Sequence, residues 1–168
     1  MKGKQLLAAL LASACVLAAS GCVAKSASVE NLMKDTKKEQ TESLYDTNVV
    51  QDTATALTGF GIKLLQNAMV EANPLVSPLS VASALSMTAN GALGETKTQM
   101  EQALGADTGS LNAYFSVLQA YLKDNQQMKL ANSIWMKDTD TLHIEDAFLQ
   151  QNANVFGAGI YSAPFDDT

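Results

Sequence analysis

Pro74 and Pro78 stand four positions apart, and together they fix where helices can and cannot run in this chain. Proline lacks an amide donor and pushes the residue before it out of the helical region, so a helix arriving from upstream must end before Asn73. Ser77-Pro78 reads the other way, as a hydroxyl N-cap followed by a proline at the first helical position, where the missing donor would lack a partner anyway. Leu75 and Val76 remain as a very short extended piece between two helices. Upstream, Ala54, Leu57, Phe60, Gly61, Leu64, Leu65, Ala68 and Met69 recur at steps of three and four, which predicts an amphipathic helix from about Thr53. Downstream, Leu79 to about Thr88 is small or apolar nearly all round, so this second helix is expected to be buried on most sides.

After the glycine loop Gly91 to Gly94, Thr96 and Gln99 read as a capping box for a short third helix that Gly105 terminates. Leu111, Phe115, Leu118 and Leu122 predict a fourth helix with one apolar stripe. From Met128 the period changes to two. Met128, Leu130, Asn132, Ile134 and Met136 share one face, and Lys129, Ala131, Ser133, Trp135 and Lys137 the other, so a strand is expected over 128–137. A polar turn at Asp138 to Asp140, a fifth helix through Ile144, Phe148, Gln151 and Val155, and an extended Ile160 to Phe165 complete the pattern. Strand, helix and strand imply a crossover connection. The fold class is α+β.

The first 21 residues have the form of a targeting segment. Lys2 and Lys4 precede an apolar run from Leu6 to Ala19, too short to span a bilayer as a mature helix, and Ala19-Ser20-Gly21-Cys22 follows it. Small residues set against a cysteine resemble the lipobox of bacterial lipoproteins, although Ala19 stands where that pattern prefers Leu. The resemblance implies cleavage before Cys22, lipidation of Cys22, and an extracytoplasmic protein held on a membrane surface. Cleavage removes Cys15, so disulfide and cysteine–metal frameworks are excluded. Residues 22–52, rich in Lys, Glu, Asp, Ser and Thr, read as a solvated polar tether, which leaves 53–168 as the folded part.

With 11 Lys, no Arg and 17 acidic residues, the net charge of −6 argues against a nucleic-acid partner. His143, the only histidine, sits in a polar turn and reads as solvated rather than as a catalytic base. Glu145-Asp146 reads as helix N-terminal charge, Asp166-Asp167 as a solvated turn, and Trp135 as sheet packing. Gly91 to Gly94 lacks the lysine of a phosphate loop, and no metal-ligand spacing occurs. No enzyme and no cofactor are indicated.

Several segments, in order, resemble the N-terminal part of a serpin, the serine proteinase inhibitor family. They are Asn73-Pro74-Leu75-Val76-Ser77-Pro78-Leu79-Ser80, then Gly91-Ala92, Gly94, Thr96, Gln99-Met100 and Leu104, then Leu130-Ala131-Asn132-Ser133-Ile134-Trp135, and finally Tyr161-Ser162-Ala163-Pro164-Phe165. Pro164 departs from the usual ending of that last strand. The resemblance implies helices A to E with strands of sheet A and a short strand of sheet B. It also implies a shutter region beneath the sheet at Asn73, Ser77 and Ser80, and an incomplete domain whose strands would lack neighbours. An inhibitory serpin traps a serine or cysteine proteinase when its cleaved reactive loop inserts into the sheet; that loop would lie beyond Thr168. The resemblance leaves a non-inhibitory serpin-like surface lipoprotein as the alternative, and it speaks against an unrelated solute-binding lipoprotein.

Overall fold

The computed structural model describes residues 28–39, 45–69 and 73–165. Their element order is β1 (Glu30–Asn31), α1 (Thr47–Ala68), α2 (Pro78–Ala89), α3 (Gly94–Leu104), α4 (Thr108–Leu122), β2 (Ser133–Lys137), α5 (Asp146–Phe156) and β3 (Gly159–Ala163). The α+β class follows, with five helices and a sheet of order β1-β3-β2. β2 and β3 are parallel, with Trp135 opposite Tyr161, and α5 makes the crossover between them. β1 lies antiparallel on the other side of β3, Glu30 opposite Ser162 and Asn31 opposite Tyr161.

α1 starts at Thr47, so the expected boundary at Thr53 between tether and folded part falls inside a helix. Thr47, Val49, Val50 and Thr53 are weak helix formers, which masks the start in the sequence. The Asp46 carboxylate compensates by accepting the Asn48 amide at 2.8 Å. Thr53, only 2% exposed, returns its hydroxyl to the Val49 carbonyl at 2.7 Å and so satisfies itself within the helix. Residues 28–39 also depart from the expected solvated tether, since they lie along β3 and α5.

Two expected local features differ from the structure, one absent and one shortened. Gly94, at φ +55, opens α3 early with Leu93 as N-cap, so Thr96 falls inside the helix. Gln99 then donates to Glu95 at 3.0 Å instead of closing a capping box. The strand expected over 128–137 shrinks to Ser133–Lys137, because those five residues are the ones that find partners on β3. Upstream of them, Asn125 Oδ1 accepts the amides of Gln127 and Met128 at 2.8 and 2.9 Å and holds that stretch in a turn. Gly105 ends α3 in the left-handed region at φ +79, as its position after Leu104 implied.

The core gathers Leu57, Ala82, Met87, Leu104, Leu111, Phe115, Val155, Phe156 and Ala158, with contributions from all five helices. Phe115 and Phe156 are each 1% exposed, with ring centroids 5.1 Å apart, and join α4 to the end of α5. α2 packs against α1, α3, α4 and α5 but is not buried on most sides. Ala82, Ser83, Ser86, Met87 and Ala89 face inward, while Ser80, Val81, Ala84 and Thr88 stay exposed. The uniform small-apolar composition of α2 therefore overstated its burial, since no described element covers its outer face.

Candidate functional site

The carbonyl of Phe156, at the end of α5, is one of those a helix leaves without an internal partner. Two side-chain amides supply it. Gln119 Nε2, from α4, donates at 2.6 Å, and Asn132 Nδ2, from the residue before β2, donates at 3.1 Å. Asn132 Oδ1 in turn accepts the Ser83 hydroxyl of α2 at 3.3 Å, and its main-chain carbonyl accepts the Gly159 amide at 3.0 Å. One asparagine thus joins α2, the C-terminus of α5 and the entry to β3. Gly157, in the left-handed region at φ +57, makes the turn that brings Gly159 there.

The same two helices carry two further polar groups in the core. Ser86 and Asn152 are both 0% exposed. Asn152 Nδ2 donates to the Phe148 carbonyl at 3.0 Å, whereas Asn152 Oδ1 and Ser86 Oγ have no hydrogen-bond partner among the described residues. The bonds of Asn132 and these buried polar groups form a polar seam between the helices and the sheet, beside the apolar core.

Ser77 takes the N-cap position of α2, as expected, but its hydroxyl caps no backbone amide. Instead Ser77 Oγ and Ser80 Oγ hydrogen-bond each other at 2.7 Å. Both serines and Asn73 are exposed rather than buried. Ser80 lies one turn before Ser83, so the exposed pair and the polar seam share one helix. Beside this pair, α1 and the segment Pro74 to Leu79 enclose an apolar groove of about 630 Å³, lined by residues including Leu57, Ile62, Leu65, Leu79 and Tyr114. Leu75 on its rim is 97% exposed. Cys22 and Asp166-Asp167 lie outside the described residues.

Ser83, Gln119 and Asn132 are the residues that the sequence reading passes over. A signal existed for each serine and asparagine. Asn132 interrupts the apolar row of the period-two segment, and Ser83 and Ser86 are hydroxyls on the inward side of an apolar helix. Gln119 follows Phe115 by one turn and gives no comparable sign.

The other candidates are surface features. His143 lies 3.3 Å from Glu145, with both side chains about four-fifths exposed. Trp135 stacks on Tyr161 at 4.7 Å, an interstrand pair at the surface of the sheet. Glu101 accepts both the hydroxyl and the amide of Thr108, at 2.6 and 2.8 Å, and those bonds hold its carboxyl below the ordinary range. Asp107 is lowered likewise by the hydroxyl and amide of Ser110, whose bonds cap α4. No cluster of metal-ligating side chains, and no helix long and apolar enough to cross a membrane, occurs among the described residues.

Residues 55–168 match the sequence profile described as Serpin (serine protease inhibitor). Neuroserpin of Homo sapiens is 32% identical over 99 residues, which is 55% of this chain and 24% of that protein. Leukocyte elastase inhibitor of Sus scrofa is 32% identical over 124 residues, 69% of this chain and 32% of that protein. Among solved structures, cleaved Serpin 42Da superposes with a TM-score of 0.60 at 26% identity, covering 70% of this chain and 33% of the other. The chain thus spans about a quarter to a third of the length of these relatives.

Proposed function

The chain belongs to the serpin family, a family of protease inhibitors rather than enzymes, and on that premise we propose that it is the N-terminal part of a lipid-anchored suicide-substrate inhibitor. In this reading a serine or cysteine proteinase attacks a reactive loop beyond Thr168, and the cleaved loop enters the sheet that carries β2 and β3 with the acyl-enzyme attached. The observation that carries the reading is the family match over residues 55–168. The polar seam at the entry to β2 and β3 supports it. A sheet that must part needs contacts that can be exchanged, and the bonds of Ser83, Asn132 and Gln119 are few, polar and directional. Asn73, Ser77 and Ser80 act here as the outer shutter positions, with the Ser77–Ser80 bond setting the start of α2.

Cys22 is the proposed lipid anchor, which places the protein outside the cytoplasm on the envelope surface. Only residues 22–27 precede the segment that lies on the domain, and six residues reach at most about 21 Å. The anchor therefore holds the domain close to the lipid rather than well clear of it. Incorporation of labelled palmitate, lost in Cys22→Ser, tests the anchor separately from inhibition.

The inhibition test uses the product translated in frame past Thr168 as far as the coding sequence runs. It is incubated with serine proteinases of trypsin, chymotrypsin and elastase type and with a papain-type cysteine proteinase. A one-to-one complex that survives denaturing electrophoresis supports the reading. Cleavage without a complex, and without a rise in thermal stability, refutes it in favour of a non-inhibitory surface-binding lipoprotein.

A further inference from the structure

Residues 28–39 contain Glu30, Lys34, Asp35, Lys37, Lys38 and Glu39, with only Leu32 and Met33 among larger apolar residues apart from the exposed Val29. Such a segment has little apolar surface to bury, yet it is ordered along the domain. Main-chain atoms hold it. Glu30 and Asn31 pair with Ser162 and Tyr161, and the Leu32 amide donates to the Ile160 carbonyl at 2.9 Å. Further on, Gln150 Nε2 of α5 donates to the Lys37 carbonyl at 2.7 Å, and Asn154 Oδ1 accepts the Glu39 amide at 2.8 Å. Gln150 also donates to Asn154 at 2.9 Å, so the two amides one turn apart form a single clamp on the passing backbone.

Without this segment, the outer edge of β3, which includes the buried apolar Ile160, would be unpaired. Such an edge is a template for strand addition by another chain. With the segment in place, the outermost strand is two residues long and carries an exposed Lys34–Glu30 ion pair at 2.9 Å. The Thr36 amide then bonds the Met33 carbonyl at 3.1 Å and turns the chain away. Short length and charge are the two features that discourage further pairing. We propose that residues 28–39 are an intramolecular strap that closes the outer edge of β3 and excludes an extended segment of a second copy of this chain. The strap is independent of the Cys22 reading and of proteinase inhibition.

The test is site-resolved amide exchange and sedimentation of the full chain and two variants. Gly159 donates toward Asn132 on the β2 side, so alternation along β3 turns the amides of Ile160 and Ser162 toward β1. Leu32→Pro combined with Asn154→Ala removes a donor to β3 and half of the clamp. Gln150→Ala, on the helix, loosens the clamp without altering the strand. Both variants are expected to speed exchange at Ile160 and Ser162 by tenfold or more, to leave Leu111 in the core protected, and to form dimers or larger species at concentrations where the unmodified chain is monomeric. A peptide of residues 28–39 added in excess is expected to restore the monomer. Free exchange of the Leu32 and Glu39 amides in the unmodified chain would overturn the strap. Faster exchange in both variants with no self-association would overturn the exclusion of a second copy.

Discussion

Asn132→Ala is the substitution expected to separate the seam from the apolar core. It removes the 3.1 Å donation to the Phe156 carbonyl and the acceptor of the Ser83 hydroxyl, leaving Ser83 buried at 6% exposure without that bond. Phe156 keeps its bond from Gln119, so that carbonyl is not orphaned. Two lost bonds at about 1 kcal/mol each, with part of the desolvation of a buried hydroxyl, give roughly 2–3 kcal/mol. For a chain of this size that is a fall in melting temperature of about 5–10 °C. Trp135 is the only tryptophan, stacked on Tyr161 three residues from the site, so its fluorescence during urea unfolding reports the sheet directly. Ser83→Ala in the same background completes a double-mutant cycle with an expected coupling near 1 kcal/mol. Asn132→Asp keeps the acceptor for Ser83 but sets a carboxylate against a carbonyl at the negative end of α5. Its folded pKa is then raised, so its destabilisation is present above the unfolded pKa and relieved as pH falls. It should therefore be worse at pH 7 than at pH 4. A cost within about 0.5 kcal/mol for Asn132→Ala, the spread of ordinary surface changes, would refute the assignment of Asn132 as a junction.

The core, the helix ends and the acidic caps give three more expectations. Phe115→Ala, at a side chain 1% exposed against Phe156, should cost about 3–5 kcal/mol in urea unfolding, more than any single change in the seam. Gly157→Ala forces a side chain into the left-handed region at φ +57 and should cost about 1–2 kcal/mol, whereas Gly59→Ala, within α1 with open space around it, should gain about 0.5–1 kcal/mol; thermal melts of both read the contrast. Glu101 and Asp107 have folded pKa values below their ordinary 4.5 and 3.8, so their contribution is present above those values and is lost as pH falls through the folded ones. Thr108→Val removes the hydroxyl bond to Glu101, so its carboxyl should titrate closer to 4.5 by NMR and stability should fall less steeply between pH 5 and pH 3.

Legibility followed the range of the interactions concerned. Pro78 opens α2 and Pro74 keeps Asn73 out of any helix through their own covalent geometry, and Gly105 ends α3 because glycine alone enters the left-handed region freely. The stripe Leu111, Phe115, Leu122 points inward because helical period places it on one face. Where a choice depended on a partner, the sequence misled. Met128 to Asn132 alternate as well as Ser133 to Lys137, but β3 pairs in register only with the second set, and of the first set only Asn132 reaches it, through the Gly159 amide. Asn132 shares a face with the apolar residues of the period-two row, and only the convergence of Phe156, Ser83 and Gly159 makes it a junction. Thr96 and Gln99 had the spacing of a capping box, and a single left-handed glycine moved the helix start ahead of both.

The charged segment 28–39 shows the division most sharply. Composition correctly indicates that it has little apolar surface to bury, and from that alone a solvated tether follows. Its order comes from main-chain bonds to Ile160, Gln150 and Asn154, and these depend on no apolar residue of its own. The sequence by itself determined the helix breaks, the helical stripes, the crossover order and the membership in an inhibitor family, because each is written in local stereochemistry or in residues that stand in order along the chain. Tertiary structure decided which alternating residues became strand, which polar side chains joined at the seam and where the strap lies, because hydrogen bonds between distant residues exist only once the chain has brought both partners together.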